Sequence, residues 1–343
     1  YTLFTVVMNS MFLLLMPLGM LLIGGAANGW AVLADLVFYI FFAPQLAFMM
    51  ERLMYAVNAK MEAAEAVKKL EAILKESPLS EPSPAGRKSP ADSSISFDNV
   101  TFTYDGAARP ALMNVRFHLP QGAAYALVGP SGGGKSTIAR LIPRFFDVQE
   151  GAVLVGGQDV RSIPAAELME KISFVFQEVH LFKKSIRDNI RAARPNATEE
   201  EILHAAHLAQ CGDILEKIPG GLDAVIGAKG VYLSGGEMQR IALARAILKD
   251  APIVVLDEAS SFADPENEVK IQKAFEALMK GKTVLMIAHR LSTVRRMDRI
   301  LVVKKGVVVE EGKHDELIEK GGVYASMWEE YQSAAQWKVG GEA

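Results

Sequence analysis

Charged side chains are almost absent from the first 50 residues of this chain. The sequence has 343 residues, with 37 Lys and Arg and 40 Asp and Glu, yet residues 1–50 contain a single charged side chain, that of Asp35. A helix of roughly 20 apolar residues crosses a lipid bilayer, and residues 3–23 and 31–50 are both runs of this kind. The Gly-rich residues 24–29 between them favour a tight turn. The sequence therefore predicts a hairpin of two transmembrane helices.

The residues around the second apolar run predict its orientation. Basic residues follow it at Arg52, Lys60 and Lys68, and positive flanks favour the cytoplasmic side, so the turn would face outward. A signal peptide is a poor alternative for residues 3–23, because that run lacks a basic start and a second run follows at once. Asp35 is expected near the outer headgroups, the alternative being a position along a cargo path.

The composition changes twice after the apolar runs. Residues 51–75 mix charged and apolar side chains and predict an amphipathic helix that continues the second span. Residues 77–94 are rich in Ser and Pro and predict an extended linker. The expected divisions are the membrane helices with their cytoplasmic extension at 1–76, the linker at 77–94, and a third domain at 95–343.

The third domain contains a phosphate-binding motif. Residues 124–128 form an apolar run that predicts a buried strand, and the sequence after it matches G-x-x-x-x-G-K-[ST] in full. Backbone N–H groups of such a loop surround phosphates, while Lys135 is expected to reach the β- and γ-phosphates and Ser136 to ligate Mg²⁺. The nucleotide-binding residues predicted here are Gly129, Ser131, Gly132, Gly133, Gly134, Lys135, Ser136 and Thr137.

A pair of carboxylates follows a second apolar strand. Residues 253–256 are apolar and precede Asp257 and Glu258. Ligands of parallel sheets bind at the carboxyl ends of the strands. Asp257 is therefore expected to hold Mg²⁺, and Glu258 to polarise the attacking water. Together with the phosphate loop, this pair predicts nucleotide hydrolysis.

A second Gly-rich turn lies about a hundred residues after the phosphate loop. It reads Leu-Ser-Gly-Gly-Glu-Met-Gln-Arg at 233–240 and opens a predicted helix. Ser234 and the backbone N–H groups of Gly235 and Gly236 would be presented to an anion, with Glu237 next to them. Because one chain needs only one phosphate cradle, the second suggests that ATP is clamped between two chains.

In this order, the motifs resemble those of the nucleotide-binding domain of ATP-binding cassette (ABC) transporters, over about residues 93–330. The resemblance implies that Tyr104 stacks on adenine, and that Gln177 senses Mg²⁺ and the membrane domain. It also implies that Asp264 belongs to a loop that contacts the opposite subunit, and that His289 contacts the γ-phosphate. ATP and Mg²⁺ are then the expected cofactors. The expected catalytic residues are Glu258, His289 and Gln177.

The chain departs from the family pattern at several positions. Glu237 stands where the family more often has Gln, and Ala228 where exporters of this type usually carry Glu. Ala228 therefore puts in doubt the usual contact of its loop with the membrane domain. Together with Phe262-Ala263, these departures resemble, much more weakly, the siderophore transporters of the yersiniabactin and mycobactin type.

The pattern of strands and helices over 95–330 predicts an α/β fold. Residues 167–209 and onward are helix-rich and predict a smaller α-helical subdomain, and residues 300–309 predict two strands around Lys305-Gly306. The single cysteine, Cys211, excludes an internal disulfide and fits a reducing cytoplasm. The expected fold class is an α/β P-loop NTPase with an α-helical subdomain, preceded by an all-α transmembrane hairpin.

Two spans cannot enclose a transport path. The chain is therefore expected to be the C-terminal part of an exporter-type half-transporter and to hold its fifth and sixth spans. The expected partners are a second half-transporter, identical or different, the lipid membrane, and a transported small molecule, without nucleic acid. The expected location is the inner or plasma membrane, in several passes, with the ATPase domain in the cytoplasm.

The sequence leaves function open in three respects. ATPases of this family also act as soluble clamps in translation or DNA repair, although the apolar hairpin argues against that class. A degenerate site could exist on a partner chain, while this chain retains both Glu258 and His289. Cargo and direction are also open, with a metal–siderophore favoured by the weaker resemblance, and lipids, drugs or peptides as alternatives.

Overall fold

A computed structural model divides the chain into two compact units. The first ends at Pro78 and the second begins at Leu79; we call them the helical unit and the α/β unit. The structure describes residues 16–25, 27–227, 230–257, 265–288 and 291–340.

The helical unit consists of two helices in the described residues. Helix α1 covers Met16–Gly25, and α2 runs without interruption over Gly29–Lys75 and contains Pro44. The helices approach closely, since a Cβ atom at Gly19 would lie 2.5 Å from Leu36 Cδ1, and small residues permit such approach in membranes.

Helix α2 is the one helix in the described part of the chain that is long and apolar enough to cross a membrane. The predicted second span and the charged extension over 51–75 are therefore one continuous helix. Most of the predicted first span lies outside the described residues.

The α/β unit contains two sheets. The central sheet has the strand order β10-β9-β3-β8-β7-β6, and the smaller antiparallel sheet has the order β2-β1-β4-β5. The strands described are β1 (Ile95–Phe102), β2 (Leu112–Leu119), β3 (Ala124–Val128), β4 (Glu150–Val155), β5 (Gln158–Asp159), β6 (Ile172–Val175), β7 (Ile253–Asp257), β8 (Thr283–Ile287), β9 (Arg299–Lys304) and β10 (Val307–Gly312).

Helices cover the central sheet. The described helices of this unit are α3 (Lys135–Leu141), α4 (Ala165–Lys171), α5 (Ile186–Arg191), α6 (Glu199–Leu208), α7 (Gly212–Lys217), α8 (Gly235–Lys249), α9 (Pro265–Met279), α10 (Leu291–Val294), α11 (His314–Glu319) and α12 (Val323–Gly340). The predicted α/β fold is confirmed, and the strand pair predicted over 300–309 is the β9–β10 hairpin.

The central strands are buried on both faces, which explains why they read as unbroken apolar runs. Every residue of β7 and β8 is buried, as expected for parallel strands with helices on both sides. Val255 packs into the core shared with α3 and the small sheet. Its neighbours Val254 and Leu256 pack into the core beneath α5–α9. Because successive side chains of a strand point to opposite faces of the sheet, β7 contributes residues to both cores.

The helical subdomain begins later than the sequence suggested. Residues 167–171 lie in α4, but β6 follows and pairs in parallel with β7 in the central sheet. The helices beyond it, α5 to α7, form the described subdomain with α8. The prediction that this subdomain starts at residue 167 was therefore wrong, because the short strand β6 resembles a turn of apolar helix in sequence.

A buried arginine joins three helices of this unit. Arg240 in α8 is 1% exposed and donates to the Asp213 carboxylate of α7 at 2.6 and 3.2 Å. It also donates to Asn267 Oδ1 of α9 at 2.8 Å and to the Gln210 carbonyl. Burial acts to raise the pKa of Asp213, but hydrogen bonds from Arg240 and Lys270 outweigh it and lower this pKa to about 2.

We expect the substitution Arg240→Met to lower the free energy of unfolding by about 2–4 kcal/mol at neutral pH, because it removes the buried guanidinium that donates to Asp213, Asn267 and the Gln210 carbonyl. Denaturant unfolding followed by fluorescence would measure this. The loss should shrink as the pH falls from about 4 towards 2, since Asp213 stabilises only while ionised. Arg116→Met is the control, as Arg116 lies 3.8 Å from Asp98 on the surface and should cost below about 1 kcal/mol. Equal losses for the two variants would contradict the role given to Arg240.

Candidate nucleotide site

The predicted nucleotide-binding residues meet at one edge of the central sheet. Strands β3, β8, β7 and β6 run in parallel, so their carboxyl ends share an edge. Val128 ends β3 immediately before the phosphate loop, and Asp257 ends β7. Val175, the last residue of β6, pairs with Leu256, which brings Gln177 to the same edge. This is where parallel sheets bind ligands.

The phosphate loop is held against the β9–β10 hairpin. Gly129 has a φ of 140°, and a Cβ there would lie 2.0 Å from the Val303 carbonyl oxygen, so only glycine fits. The Gly306 N–H donates to the Gly133 carbonyl at 2.8 Å. Sequence reasoning missed this support from the Lys305–Gly306 turn, since nothing in a local motif indicates which distant turn lies beneath it.

Lys135 is folded into the loop. Its side chain is buried, and Nζ donates to the carbonyl oxygens of Gly129 and Pro130 at 2.8 and 2.9 Å. Burial lowers the pKa of Lys135, and the buried carboxylate of Asp257 partly offsets this effect. An ammonium carries three donors, so a phosphate oxygen could bind it without displacing both carbonyls.

The residues at the start of α3 connect the loop to Tyr104. Thr137 is buried, and its hydroxyl lies 3.2 Å from the Tyr104 hydroxyl. The Tyr104 ring meets Phe102 and Phe146 edge-on, at centroid distances of 4.8 and 5.2 Å. An aromatic side chain therefore stands beside the phosphate loop, as adenine stacking requires. Ser131 and Gly132 are exposed at the tip of the loop, and Ser136 is half-buried.

The oxygen-bearing side chains at this edge fit Mg²⁺ chemically. Ser136 offers a hydroxyl, Asp257 a carboxylate and Gln177 an amide oxygen, and Mg²⁺ prefers oxygen ligands that it shares with water and substrate phosphates. Asp257 is 6% exposed, and Gln177 is exposed after β6. Among the described residues there is no cluster of three or more His, Cys, Asp or Glu that could hold a metal.

The second Gly-rich turn forms the N-terminus of α8. Ser234 caps this helix: its hydroxyl accepts from the Glu237 N–H at 3.3 Å, while the Glu237 carboxylate accepts from the Ser234 N–H at 2.7 Å. This reciprocal pair is a capping box. The hydroxyl of Ser234 keeps its own hydrogen to donate. Gly235 and Gly236 open the first turn of α8, where backbone N–H groups attract anions.

Glu237 has a structural role at the position where the family more often has Gln. Burial acts to raise its pKa, but hydrogen bonds from Ser234 and Lys217 outweigh this, so the pKa of Glu237 lies below its usual value. Lys217 Nζ lies 3.3 Å from Glu237 Oε1. The carboxylate thus stays ionised and holds the cap.

The substitution Glu237→Ala is expected to lower the free energy of unfolding by about 1 kcal/mol, the ordinary value of a lost cap interaction. Glu237→Gln retains an acceptor for the Ser234 N–H and should cost less than half as much. Thermal unfolding of the two variants at equal ionic strength would measure the difference. Equal losses of the free energy of unfolding in the two variants would show that the stabilisation comes from the charge of Glu237 and not from its capping hydrogen bond.

Several predicted site residues lie outside the described residues. These are Glu258, Asp264 and His289, together with Ala228, and their predicted roles remain predictions.

Comparisons with known proteins relate this chain to one family. Residues 112–261 match the family model described as ABC transporter. The chain is 45% identical over 272 residues to the ATP-dependent lipid A-core flippase of Escherichia coli K12, a match that covers 79% of this chain and 47% of that protein. The same values hold for the flippase of Shigella flexneri. The chain thus spans about half the length of the curated relatives it matches.

A solved structure gives the same result. The structure of a bacterial Atm1-family ABC exporter with ATP bound has a TM-score of 0.71 and 34% identity, over 95% of this chain and 56% of that chain. One sheet edge brings together the phosphate loop, Asp257 and Gln177, and a capped Gly-rich turn opens α8. Together with these relatives, this arrangement leads to one conclusion: the chain carries the ATPase domain of the ABC transporter family.

Proposed function

We propose that this chain is the ATP-hydrolysing part of an exporter-type membrane transporter, in which two such chains act together. The observation that carries the proposal is the presence, in one chain, of a sheet edge that holds the phosphate loop and Asp257 and of a helix long enough to cross a membrane. Soluble ATPases of the same family do not need a 47-residue helix with an apolar first half.

In the proposed mechanism two ATPase domains close head to tail on two ATP molecules. Lys135 of one chain binds the phosphates, and Ser136 and Asp257 of the same chain would hold Mg²⁺. The capped turn at Ser234 of the other chain faces the γ-phosphate. Bound Mg²⁺ would neutralise charge on the phosphates. Glu258 polarises the attacking water, and His289 contacts the γ-phosphate. Closure excludes water and moves the membrane helices, and hydrolysis reopens the dimer.

A groove beside Gln177 supports coupling to a membrane domain. It has a volume of about 500 Å³ and is lined by β6, the loop after β6, the two residues that follow α5, and α8. Phe176 and Phe182 border it and are 48% and 57% exposed, and Arg245 lies 5.5 Å over the Phe182 ring. Exposed apolar side chains around a concave surface are typical of an interaction site. We propose that a short cytoplasmic helix of the membrane domain binds there.

The relatives favour export of an amphipathic lipid as the cargo class. The curated relatives are named as lipid A-core flippases and the solved one as an Atm1-family exporter. Metal–siderophore cargo, which the weaker resemblance favoured, remains the alternative, and it would imply the opposite direction.

The test uses the full-length transporter in vesicles with the ATPase domains outward. Labelled lipid in the outer leaflet should become inaccessible to an external quencher when ATP is added, and Glu258→Gln should bind ATP yet move nothing. A parallel set of vesicles carries ferric siderophore inside, and its ATP-dependent loss would establish import instead. Movement of neither cargo despite ATP hydrolysis would refute both cargo classes. Release of the chain by carbonate wash would overturn the transporter proposal itself.

A further inference from the structure

Residues 79–94, which we call the strap, are bound along the α/β unit. We propose that the strap stays bound throughout the ATPase cycle, and that Arg144 is the positioning residue that fastens it to the helix of the phosphate loop. The strap would then be a mechanical connection from α2 to the nucleotide site. This inference rests on the proposed transport function.

Arg144 holds the first part of the strap. Its guanidinium donates to the Ser80 carbonyl at 2.8 Å and to the Asp147 carboxylate at 2.7 and 3.0 Å. The side chain is 6% exposed. The backbone φ of Arg144 is 56°, a conformation that non-glycine residues keep only when their surroundings enforce it. The fold therefore places a buried, oriented cation where a strap carbonyl meets it.

Arg144 lies three residues after the end of the helix that follows the phosphate loop. Helix α3 begins at Lys135 and ends at Leu141, and the Arg144 N–H donates to the Leu141 carbonyl at 3.1 Å. The helix that carries the phosphate-binding lysine at one end is therefore fastened to the strap at the other. A helix transmits displacement along its axis, because its backbone hydrogen bonds make it stiff.

Backbone hydrogen bonds hold the middle of the strap. The Lys88 N–H donates to the Ser162 carbonyl at 2.9 Å, and the Ala91 N–H donates to the Gly156 carbonyl at 3.1 Å. The Gly156 N–H in turn donates to the Ser94 carbonyl at 2.9 Å. A flexible linker would satisfy these groups with water, whereas here the α/β unit satisfies them.

The end of the strap contacts the starts of two central strands. The Ser93 and Thr283 hydroxyls lie 3.1 Å apart and are buried, and Thr283 Oγ1 also accepts from the Gly122 N–H at 2.9 Å. Thr283 begins β8, and Gly122 lies just before β3. In the sequence, the phosphate loop follows β3 immediately, and His289 follows β8 after one residue. The strap is thus fastened at the ends of the elements opposite to their catalytic residues.

Only residues 76–78 separate α2 from the strap in sequence. A displacement of α2 would therefore reach the strap through a very short spacer, and through the strap it would reach α3, β3 and β8. This route differs from docking of a separate cytoplasmic helix in the groove beside Gln177, because it lies within one chain.

Limited trypsin digestion tests the binding of the strap. Arg87 and Lys88 lie between the contacts of Ser80 and Ala91, and cleavage needs local release of the segment. We expect Arg144→Met to accelerate cleavage there at least tenfold, and Arg140→Met, at an exposed position of the same helix, to change it less than twofold. Ser93→Ala, which removes the hydroxyl that meets Thr283 and no apolar side chain, should accelerate cleavage severalfold. An unchanged rate in both Arg144→Met and Ser93→Ala would overturn the proposal.

The coupling role is tested in the full-length transporter in vesicles. Arg144→Met should keep kcat/KM for ATP within twofold while cargo moved per ATP falls at least fivefold, a split that loss of folding would not produce. Equal losses of hydrolysis and transport, or no loss of transport, would overturn the coupling role. If the wild-type protein hydrolyses ATP but moves no cargo, the transport proposal and the coupling role fail together, and the trypsin rates still decide whether the strap is bound.

A disulfide tests whether the strap stays bound during turnover. Lys88→Cys and Ser162→Cys place thiols at two residues whose backbones are hydrogen-bonded, and the native Cys211 is buried and would not compete. Under mild oxidation the crosslinked protein should hydrolyse ATP and move cargo at the rate of the reduced form. Loss of turnover on oxidation, reversed by reductant, would show that the strap must detach.

Discussion

Replacing Lys135 by methionine should lower ATP hydrolysis at least about a hundredfold and should weaken ATP binding. Such a loss corresponds to the removal of one preorganised charge from a site where negative charge develops. The Lys135 ammonium already points into the loop, where it contacts the carbonyls of Gly129 and Pro130. A methionine of similar length fills the space but offers no donor. Binding of a fluorescent ATP analogue and phosphate release would measure the two effects.

Lys249 provides a matched control. It too is a partly buried lysine whose pKa is lowered by burial, and it donates to the carbonyls of Met169 and Ile172 at 2.7 and 2.6 Å. Lys249→Met should therefore reduce stability about as much as Lys135→Met, while ATP affinity changes less than threefold. Similar losses of ATP affinity in both variants would mean that Lys135 acts through folding and not through contact with phosphate.

The same lysine predicts a dependence of ATP affinity on pH. Because burial lowers the pKa of Lys135 in the protein without nucleotide, its charge is lost at a lower pH than that of an ordinary lysine, near 10.4. ATP affinity should therefore decline as the pH rises towards that value. A profile that stays flat until the ordinary lysine pKa would contradict the lowered pKa of Lys135, and one that stays flat beyond it would contradict the assigned role.

The sequence predicted the parts of the site that are local in the chain. A strand, a Gly-rich turn and a helix that follow one another determine the phosphate loop almost alone, because the backbone conformation and the donors come from adjacent residues. The same holds for the capped turn at Ser234, where Glu237 lies three residues on. The position of Asp257 at the carboxyl end of its strand also followed, since parallel sheets bind ligands there. The position of Gln177 beside it did not, because the sequence assigned the short strand β6 to the helical subdomain.

The sequence could not predict contacts between residues far apart in the chain. The support of Gly133 by Gly306 and the bonds of Arg240 to Asp213 and Asn267 depend on packing, which no local motif encodes. The contacts of the Ser- and Pro-rich segment were also missed, because its partners are mostly backbone carbonyls and N–H groups. Every residue offers those groups, so composition indicates an extended segment without indicating where it binds.

Mixed dimers of two defective chains should recover ATP hydrolysis if the site is shared between chains. One chain carries Lys135→Met and the other Ser234→Asp. In a head-to-tail dimer, one site then combines both defects and the other combines the intact phosphate loop with the intact turn of α8. Hydrolysis should return to about half of the wild-type rate or somewhat less, at least tenfold above either variant alone.

Aspartate is the informative replacement at Ser234. It caps a helix about as well as serine, so α8 should keep its capping box and its stability within about 0.5 kcal/mol. Its carboxylate would nevertheless stand where the γ-phosphate is proposed to bind. Two negative charges so close together repel strongly in a site that excludes water. The loss of activity can thus be assigned to the phosphate contact, with thermal unfolding as the check.

The reciprocal mixture decides between the two arrangements. A chain with both substitutions is paired with a wild-type chain, and differently tagged chains allow each mixed dimer to be purified. If the sites are shared, both sites of this dimer hold one defect and hydrolysis should stay near background. If each chain formed its own site, this dimer would keep one intact site and the first mixture would keep none. Activity in the reciprocal mixture alone would therefore exclude head-to-tail closure, whatever the cargo is.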